Sequence, residues 1–117
     1  MPHPAAVRPA ADEHAPYYGN YISQVADGDI RETLRAQTAP LLAMLRGIPE
    51  SLGEHRYGPG KWTLKESLLH VTDAERVFCY RLLRIARGDT TPLPGFDQDV
   101  WVPNCDVSGR TVASLVD

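Results

Sequence analysis

The sequence predicts an all-α fold, because two long stretches carry helical periodicity between recognisable start and stop signals. The longer stretch runs from Thr63 to Arg87, and Thr63 with Glu66 forms a Thr-x-x-Glu capping box at its beginning. Gly88 suits the left-handed position that follows many helix ends. About 24 residues at a rise of ~1.5 Å give a rod of roughly 36 Å, and this length favours a helical bundle.

The second predicted helix lies earlier in the chain, between the acidic segment 27–29 and Gly47. Acidic residues at its start interact favourably with the positive end of the helix dipole. Pro40 falls inside the pattern and predicts a kink or a split into two helices, because proline has no amide hydrogen to donate. The apolar residues recur at steps of three and four and form one stripe with Thr38: Ile30, Leu34, Leu41, Leu45 and Ile48.

The segments around these helices are predicted to be loops. Gly-Pro-Gly at 58–60 sets a turn in the connection 49–61, and the segment 89–107 shows no period of either kind. We expect four apolar residues to anchor that second loop: Phe96, Val100, Trp101 and Val102. Asp97 and Asp99 are interpreted as loop caps, with site carboxylates as the alternative. Ser108 is the predicted N-cap of a further helix, and the sequence is interpreted as cut off within that helix at Asp117.

The domain prediction is a disordered tail at 1–13 and a helical domain at 14–117. The tail is rich in proline and alanine and has almost no large apolar side chain. Tyr17, Tyr18 and Tyr21 follow it, and they are expected to pack against the helices, because tyrosine offers a large apolar face. The alternative is that one of their hydroxyl groups points into a pocket.

Composition excludes several classes of function. The 117 residues carry a net charge of -3 without a dense basic patch, which argues against nucleic acid or a phospholipid surface as a partner. No stretch has the length of a membrane span or the apolar core of a signal peptide, so a cytoplasmic location is expected. Cys79 and Cys105 form no metal-binding motif. They are expected to be free buried thiols, with a disulfide between them as the alternative.

His70 is the candidate functional residue of the longer helix. Spacings of four and three place Glu66, His70 and Asp73 on adjacent turns of one face. This face borders the expected apolar seam, which runs through Leu64, Leu68, Val71, Glu75, Phe78, Leu82 and Ile85. His70 is interpreted either as a hydrogen-bonded structural residue or as a metal ligand, with Asp73 and Glu66 as partners around the site. Without H-x-x-x-H or C-x-x-C, the residues make at most part of a metal site.

Several segments resemble the DinB-like superfamily, and most of all its branch of YfiT-type metal-dependent hydrolases. They are APYYGNYI at 15–22, GPGKWTLKE at 58–66, HVTDAERVFCYRLLRIARGD at 70–89 and PLPGFDQD at 92–99. The resemblance implies an up-down-down-up four-helix bundle. This chain would carry its first two long helices, a long loop and the start of the third. It also implies a nickel or zinc ion held by three histidines, of which His70 matches the first and the other two have no counterpart here.

The function implied by the resemblance is that of a divalent-metal-dependent hydrolase or a thiol-dependent transferase. Its substrate would be a low-molecular-weight thiol or another small molecule, and the protein would be a homodimer. Residues 1–117 alone are expected to bind no metal tightly and to be inactive, either as a fragment or as a shortened member. The alternative is a non-catalytic helical module that self-associates, because an incomplete bundle exposes apolar seams.

Overall fold

The computed structural model describes residues 7–117 and shows only helices and loops in that range. Its five α-helices are α1 (Gly19–Ile22), α2 (Ile30–Arg46), α3 (Leu64–Ala86), α4 (Gln98–Trp101) and α5 (Val112–Val116). Short 3-10 helices cover Pro16–Tyr18, Glu50–Leu52 and Val102–Asn104. The predicted all-α class is therefore confirmed, and so are its two long helices. Within this part of the chain, no helix combines the length and the apolar character that a bilayer crossing requires.

The chain divides into two compact units between Ala43 and Met44. In the first unit, the Arg8 guanidinium donates to the Asp27 carboxylate at 2.8 Å and to the carbonyl oxygen of Ile22 at 2.6 Å. The predicted tail at 1–13 begins with residues 1–6, which lie outside the described residues, and the tail as a whole stays a prediction. The three tyrosines do not pack as expected, because each remains more than half exposed. They contact one another instead, and the Tyr17 and Tyr21 hydroxyl groups lie 3.1 Å apart.

Helix α2 begins after Asp29, whose carboxylate accepts the backbone amide of Arg31 at 2.9 Å. The Arg31 side chain holds the same carboxylate and lowers the pKa of Asp29 to about 2. Pro40 lies inside a continuous helix, so the predicted split into two helices is wrong. A proline within a helix removes one hydrogen bond of the ladder, and sixteen other residues hold the remaining turns together.

Helix α3 has the predicted ends. The Thr63 hydroxyl accepts the amide of Glu66 at 3.0 Å, and the Glu66 carboxylate accepts the amide of Thr63 at 2.6 Å. Gly88 follows the helix with φ +72°, as a left-handed terminator requires. The predicted turn at 58–60 is also present, because the Lys61 amide donates to the carbonyl oxygen of Gly58.

The core of the second unit lies at the first turns of α3, which contacts α5 and the 3-10 helix Val102–Asn104. Its buried apolar side chains are Leu68, Leu69, Val102, Val107 and Val112. The seam expected along α3 is therefore only partly correct. Four of its members, Val71, Phe78, Leu82 and Ile85, remain 59% to 67% exposed, because the covering segment lies on another face of the helix.

Two predictions in the C-terminal segment need correction. Ser108 does not cap the last helix, because its amide donates to the Asp106 carboxylate within a turn and Gly109 and Arg110 follow before the helix begins. Thr111 is the N-cap, and its hydroxyl accepts the amide of Ser114 at 3.0 Å. Of the expected loop anchors, Val102 is buried but Val100 is 54% exposed. Asp97 caps α4 by accepting the Asp99 amide, as predicted.

Candidate functional site

His70 lies in the second turn of α3 and is half-buried. Its ring contacts the indole of Trp62, with 5.1 Å between ring centroids and 48° between planes. Within residues 7–117 the imidazole makes no hydrogen bond, while every buried side-chain nitrogen or oxygen in that range has a partner. The two ring nitrogens are therefore not sealed from solvent, and one of them is available to a ligand.

The Glu66 carboxylate is already engaged at the beginning of α3. It accepts the Thr63 amide at 2.6 Å and lies 3.2 Å from the Arg56 guanidinium. Thr63 is only 3% exposed, so its amide depends on this partner. Glu66 lies one turn before His70 and makes no hydrogen bond to it in the described chain. The role expected for Glu66, as a partner around the metal site, therefore competes with its role in the helix cap and stays a prediction.

Asp73 lies one turn after His70, and its side chain is 23% exposed. One carboxylate oxygen is 3.9 Å from the Arg76 guanidinium, which is too far for a hydrogen bond. No hydrogen bond joins Asp73 to His70 between residues 7 and 117. The two carboxylates thus share a helix face with the histidine, and neither of them orients its ring.

Among the described residues, no group of three or more histidine, cysteine, aspartate or glutamate side chains could hold a metal ion. A divalent catalytic site generally needs three protein ligands and one open position. His70 can supply one of these ligands, whereas Glu66 is occupied by the helix cap. The residues that the structure describes therefore do not fit a complete nickel or zinc site by themselves.

The two cysteines are free, as expected, but both are exposed, so the prediction that they are buried is wrong. The Cys79 thiol donates to the Glu75 carboxylate at 3.5 Å. This hydrogen bond to an acidic group raises the pKa of Cys79 above its ordinary value. Because the thiolate is the reactive form, Cys79 is poorly suited to act as a nucleophile at neutral pH.

A cavity of about 370 Å³ lies beside Asp73, between α3 and the segment 93–101. Its apolar lining includes Val77, Leu93, Phe96 and Trp101, and its charged lining is Asp73, Arg76 and Arg81. Phe96 and Trp101 are predicted from the sequence only as loop anchors, and the cavity that they line is not predicted. The relevant signal was the length of a loop that carries aromatic residues but no periodicity.

Comparisons with known proteins identify one family. The family model of the DinB superfamily matches residues 32–117, a range that contains most of α2, all of α3 and the chain that follows. No curated protein and no solved structure matches this chain. The match includes His70, the cavity and the whole second unit, and it confirms the resemblance to the DinB-like superfamily.

Proposed function

This chain belongs to the DinB superfamily, and from that membership we propose that His70 supplies one ligand to a divalent metal ion, nickel or zinc, in the complete protein. The reaction would be a hydrolysis or a thiol-dependent transfer on a small molecule, in the cytoplasm. The observation that carries the proposal is the half-buried His70 ring, whose nitrogens have no hydrogen-bond partner in residues 7–117. Because these nitrogens reach solvent and have no partner in that range, one of them is free to bind a metal ion.

The neighbourhood of His70 supports a ligand role in a second respect. Contact with the Trp62 indole restricts the plane of the imidazole, and a ligand held in one orientation loses less entropy when it binds. When bound, a divalent metal acts as a Lewis acid and lowers the pKa of a bound water or thiol. The proposal also requires further ligands that the described residues do not provide.

The ligand role can be tested on the 117-residue chain by adding Ni²⁺ and following the imidazole signals by NMR. Paramagnetic broadening of His70 is expected at lower Ni²⁺ concentration than broadening of His55, which lies exposed in a loop. In His70→Ala, the Trp62 indole signal should lose its broadening, whereas in His55→Ala it should keep it. Equal broadening of His55 and His70 in the native chain would exclude a special affinity at His70.

Metal content separates a complete site from a partial one. We expect the purified chain and His70→Ala to contain equally little nickel and zinc, because one histidine with at most one carboxylate is too few ligands. A full equivalent of metal that disappears in His70→Ala would show that this chain completes the site, by itself or as an oligomer. The same measurement on a longer reading frame with H-x-x-x-H downstream should give that full equivalent.

A second function, that of a self-associating helical module, is favoured by the exposed apolar stripe on α3. The stripe consists of Val71, Phe78, Leu82 and Ile85, and each of these side chains is at least 59% exposed. Apolar patches of this kind commonly mark interfaces. A homodimer would bury the same patch on both copies, as two-fold symmetry requires.

Light scattering on two neighbouring leucine variants tests this second function. Leu82 belongs to the stripe, whereas Leu83 is 51% exposed on a different face of the same helix. Leu82→Lys should shift the chain towards the monomer, and Leu83→Lys should leave the dimer intact. A native chain that stays monomeric over a wide range of concentrations would eliminate the self-associating module and leave the metal proposal untouched.

A further inference from the structure

We propose that the cavity between α3 and the segment 93–101 binds a planar apolar monocarboxylate, such as an aromatic acid. The cavity lies wholly in the second unit, and its volume of about 370 Å³ is within the range of small-molecule sites. His70 is not among its lining residues. The inference therefore does not depend on a metal and concerns a separate binding function.

The apolar walls favour a flat ligand. Phe96 and Trp101 stack with their ring centroids 4.7 Å apart and their planes inclined by 28°. Trp101 nevertheless remains 42% exposed, so part of its ring is left without a protein contact. A ligand ring of similar size can extend this stack in the offset geometry that aromatic groups prefer.

Arg81 supplies the charge that recognises an acid. Its side chain is half-buried and donates to the carbonyl oxygen of Pro94 at 2.8 Å, and no carboxylate of residues 7–117 lies within 4.0 Å of it. Arg84, one turn further along α3, is already paired with Asp89 at 2.8 Å. That arginine also holds the pKa of Asp89 well below its ordinary value. The charge of Arg81 is therefore unpaired at the cavity, whereas the charge of Arg84 is paired with Asp89 and Arg84 does not line the cavity.

The balance of charge sets the expected charge of the ligand. Two arginines, Arg76 and Arg81, and one carboxylate, Asp73, line the cavity, so the lining carries 2 − 1 = +1. Asp73 partly neutralises Arg76 across 3.9 Å, which leaves Arg81 as the main anion partner. A guanidinium group offers two parallel donors that match the two oxygens of a carboxylate. A single carboxylate on an apolar ring is complementary to this arrangement.

The test uses 2-naphthoate as the probe and its uncharged analogue 2-naphthalenemethanol as the matched ligand, with affinities from isothermal titration calorimetry. Arg81→Gln keeps a donor for the Pro94 carbonyl oxygen but removes the charge, and it should weaken naphthoate binding by about tenfold or more. The alcohol should change by less than about twofold, because it makes no ion pair. Arg87→Gln, at the end of the same helix and outside the cavity, should leave both affinities unchanged.

Three further variants keep the test decisive if Arg81→Gln does not fold. Arg81→Lys retains the charge without the planar fork and should bind naphthoate with intermediate affinity. Trp101→Leu should weaken both the acid and the alcohol, because both lose the aromatic wall. His70→Ala should bind naphthoate as the native chain does, so loss of metal binding and loss of naphthoate binding are separable.

Several results would overturn the inference. These are an absence of saturable naphthoate binding to the native chain, equal naphthoate affinity in Arg81→Gln and the native chain, and an equal loss in Arg87→Gln. The last of these would show that naphthoate responds to the overall charge of the protein and not to this cavity.

Discussion

A side chain at Gly53 should destabilise the fold, although the backbone conformation there is one that alanine adopts easily. It follows the 3-10 helix Glu50–Leu52 with φ −56° and ψ −37°. A Cβ atom built there would lie 2.7 Å from Lys65 Cε, 3.1 Å from Val112 Cγ2 and 3.2 Å from the carbonyl oxygen of Glu50. Carbon atoms in contact are normally about 3.5–4.0 Å apart, so at least one neighbour has to move.

Lys65 is the nearest neighbour, and it is poorly able to move. Its ammonium lies 3.1 Å from Glu54, 3.5 Å from Glu50 and 3.5 Å from the carbonyl oxygen of Ser108, on a side chain that is only 9% exposed. The hydrogen bond with Glu54 is the main cause of a raised Lys65 pKa, so the residue stays charged. Displacing this ammonium would separate a charge from its partners in a nearly buried position.

The expected cost of Gly53→Ala follows from two opposing effects. Overpacking costs about 1–3 kcal/mol, and the smaller entropy of the unfolded chain returns about 0.4–1 kcal/mol. The free energy of unfolding should therefore fall by about 1–2 kcal/mol. With a slope of about 2 kcal/mol per molar urea, the midpoint should shift down by roughly 0.5–1 M.

Urea unfolding followed by circular dichroism measures this shift, and Gly109→Ala is the matched control. A Cβ at Gly109 would meet no atom within 4 Å, and its φ lies outside the left-handed range. Gly109→Ala should therefore be neutral or slightly stabilising. An unchanged or higher midpoint for Gly53→Ala would refute the close packing of Gly53 against Lys65 and Val112.

Three further predictions concern the helix ends. Thr63→Ala should lower the free energy of unfolding by about 1 kcal/mol, because it removes the cap of α3, whereas Ser108→Ala should change it by less than about 0.5 kcal/mol in the same urea assay. The Asp29 pKa is lowered from 3.8 to about 2 by Arg31, so the ionised carboxylate stabilises the fold above its ordinary pKa. The stability of the native chain relative to Asp29→Asn should thus decrease as the pH falls from 5 towards 2, and equal pH profiles would contradict this. Gly88→Ala should cost about 1–2 kcal/mol by thermal or urea unfolding, because φ +72° disfavours any residue with a Cβ.

The sequence predicts α3 well because its end signals are local. A threonine three residues before a glutamate, and a glycine just after the last turn, act through contacts within a few residues. The prediction that Ser108 caps the last helix is wrong, and Thr111 is the N-cap. Either hydroxyl can cap a helix, and the Asp106 carboxylate holds Ser108 in a turn instead.

The covered face of α3 could not be predicted in the same way. Helical periodicity identifies which residues share a face, but α3 is apolar on more than one side. Leu69 is buried, whereas Phe78 and Leu82 are left exposed. Which face is covered depends on where residues 93–112 return to the helix, and no local pattern encodes that path.

Glu66, one of the two carboxylates near His70, has two possible roles in the sequence. Glu66 satisfies the capping pattern and also lies one turn from the histidine, so the sequence supports both roles. The structure shows the capping contacts, at 2.6 Å and 3.0 Å, together with the pairing to Arg56. Leaving the buried Thr63 amide without a partner would cost free energy, so the Glu66 carboxylate serves as the cap of α3.

The ligand-binding role proposed for Arg81 could not be predicted from the sequence pattern of α3. The longer helix carries four arginines towards its C-terminal end, where basic side chains are ordinarily explained by the helix dipole: Arg76, Arg81, Arg84 and Arg87. The structure separates them through partners that follow the helix. Asp89 neutralises Arg84, whereas Arg81 donates to the carbonyl oxygen of Pro94, lies over the Phe78 ring and has no carboxylate partner among residues 7–117. The loop that follows the helix has no periodicity, yet it decides which arginine is paired with a carboxylate and which remains free for a ligand. In this chain, residues with a function are expected where such a loop returns to a charged helix face.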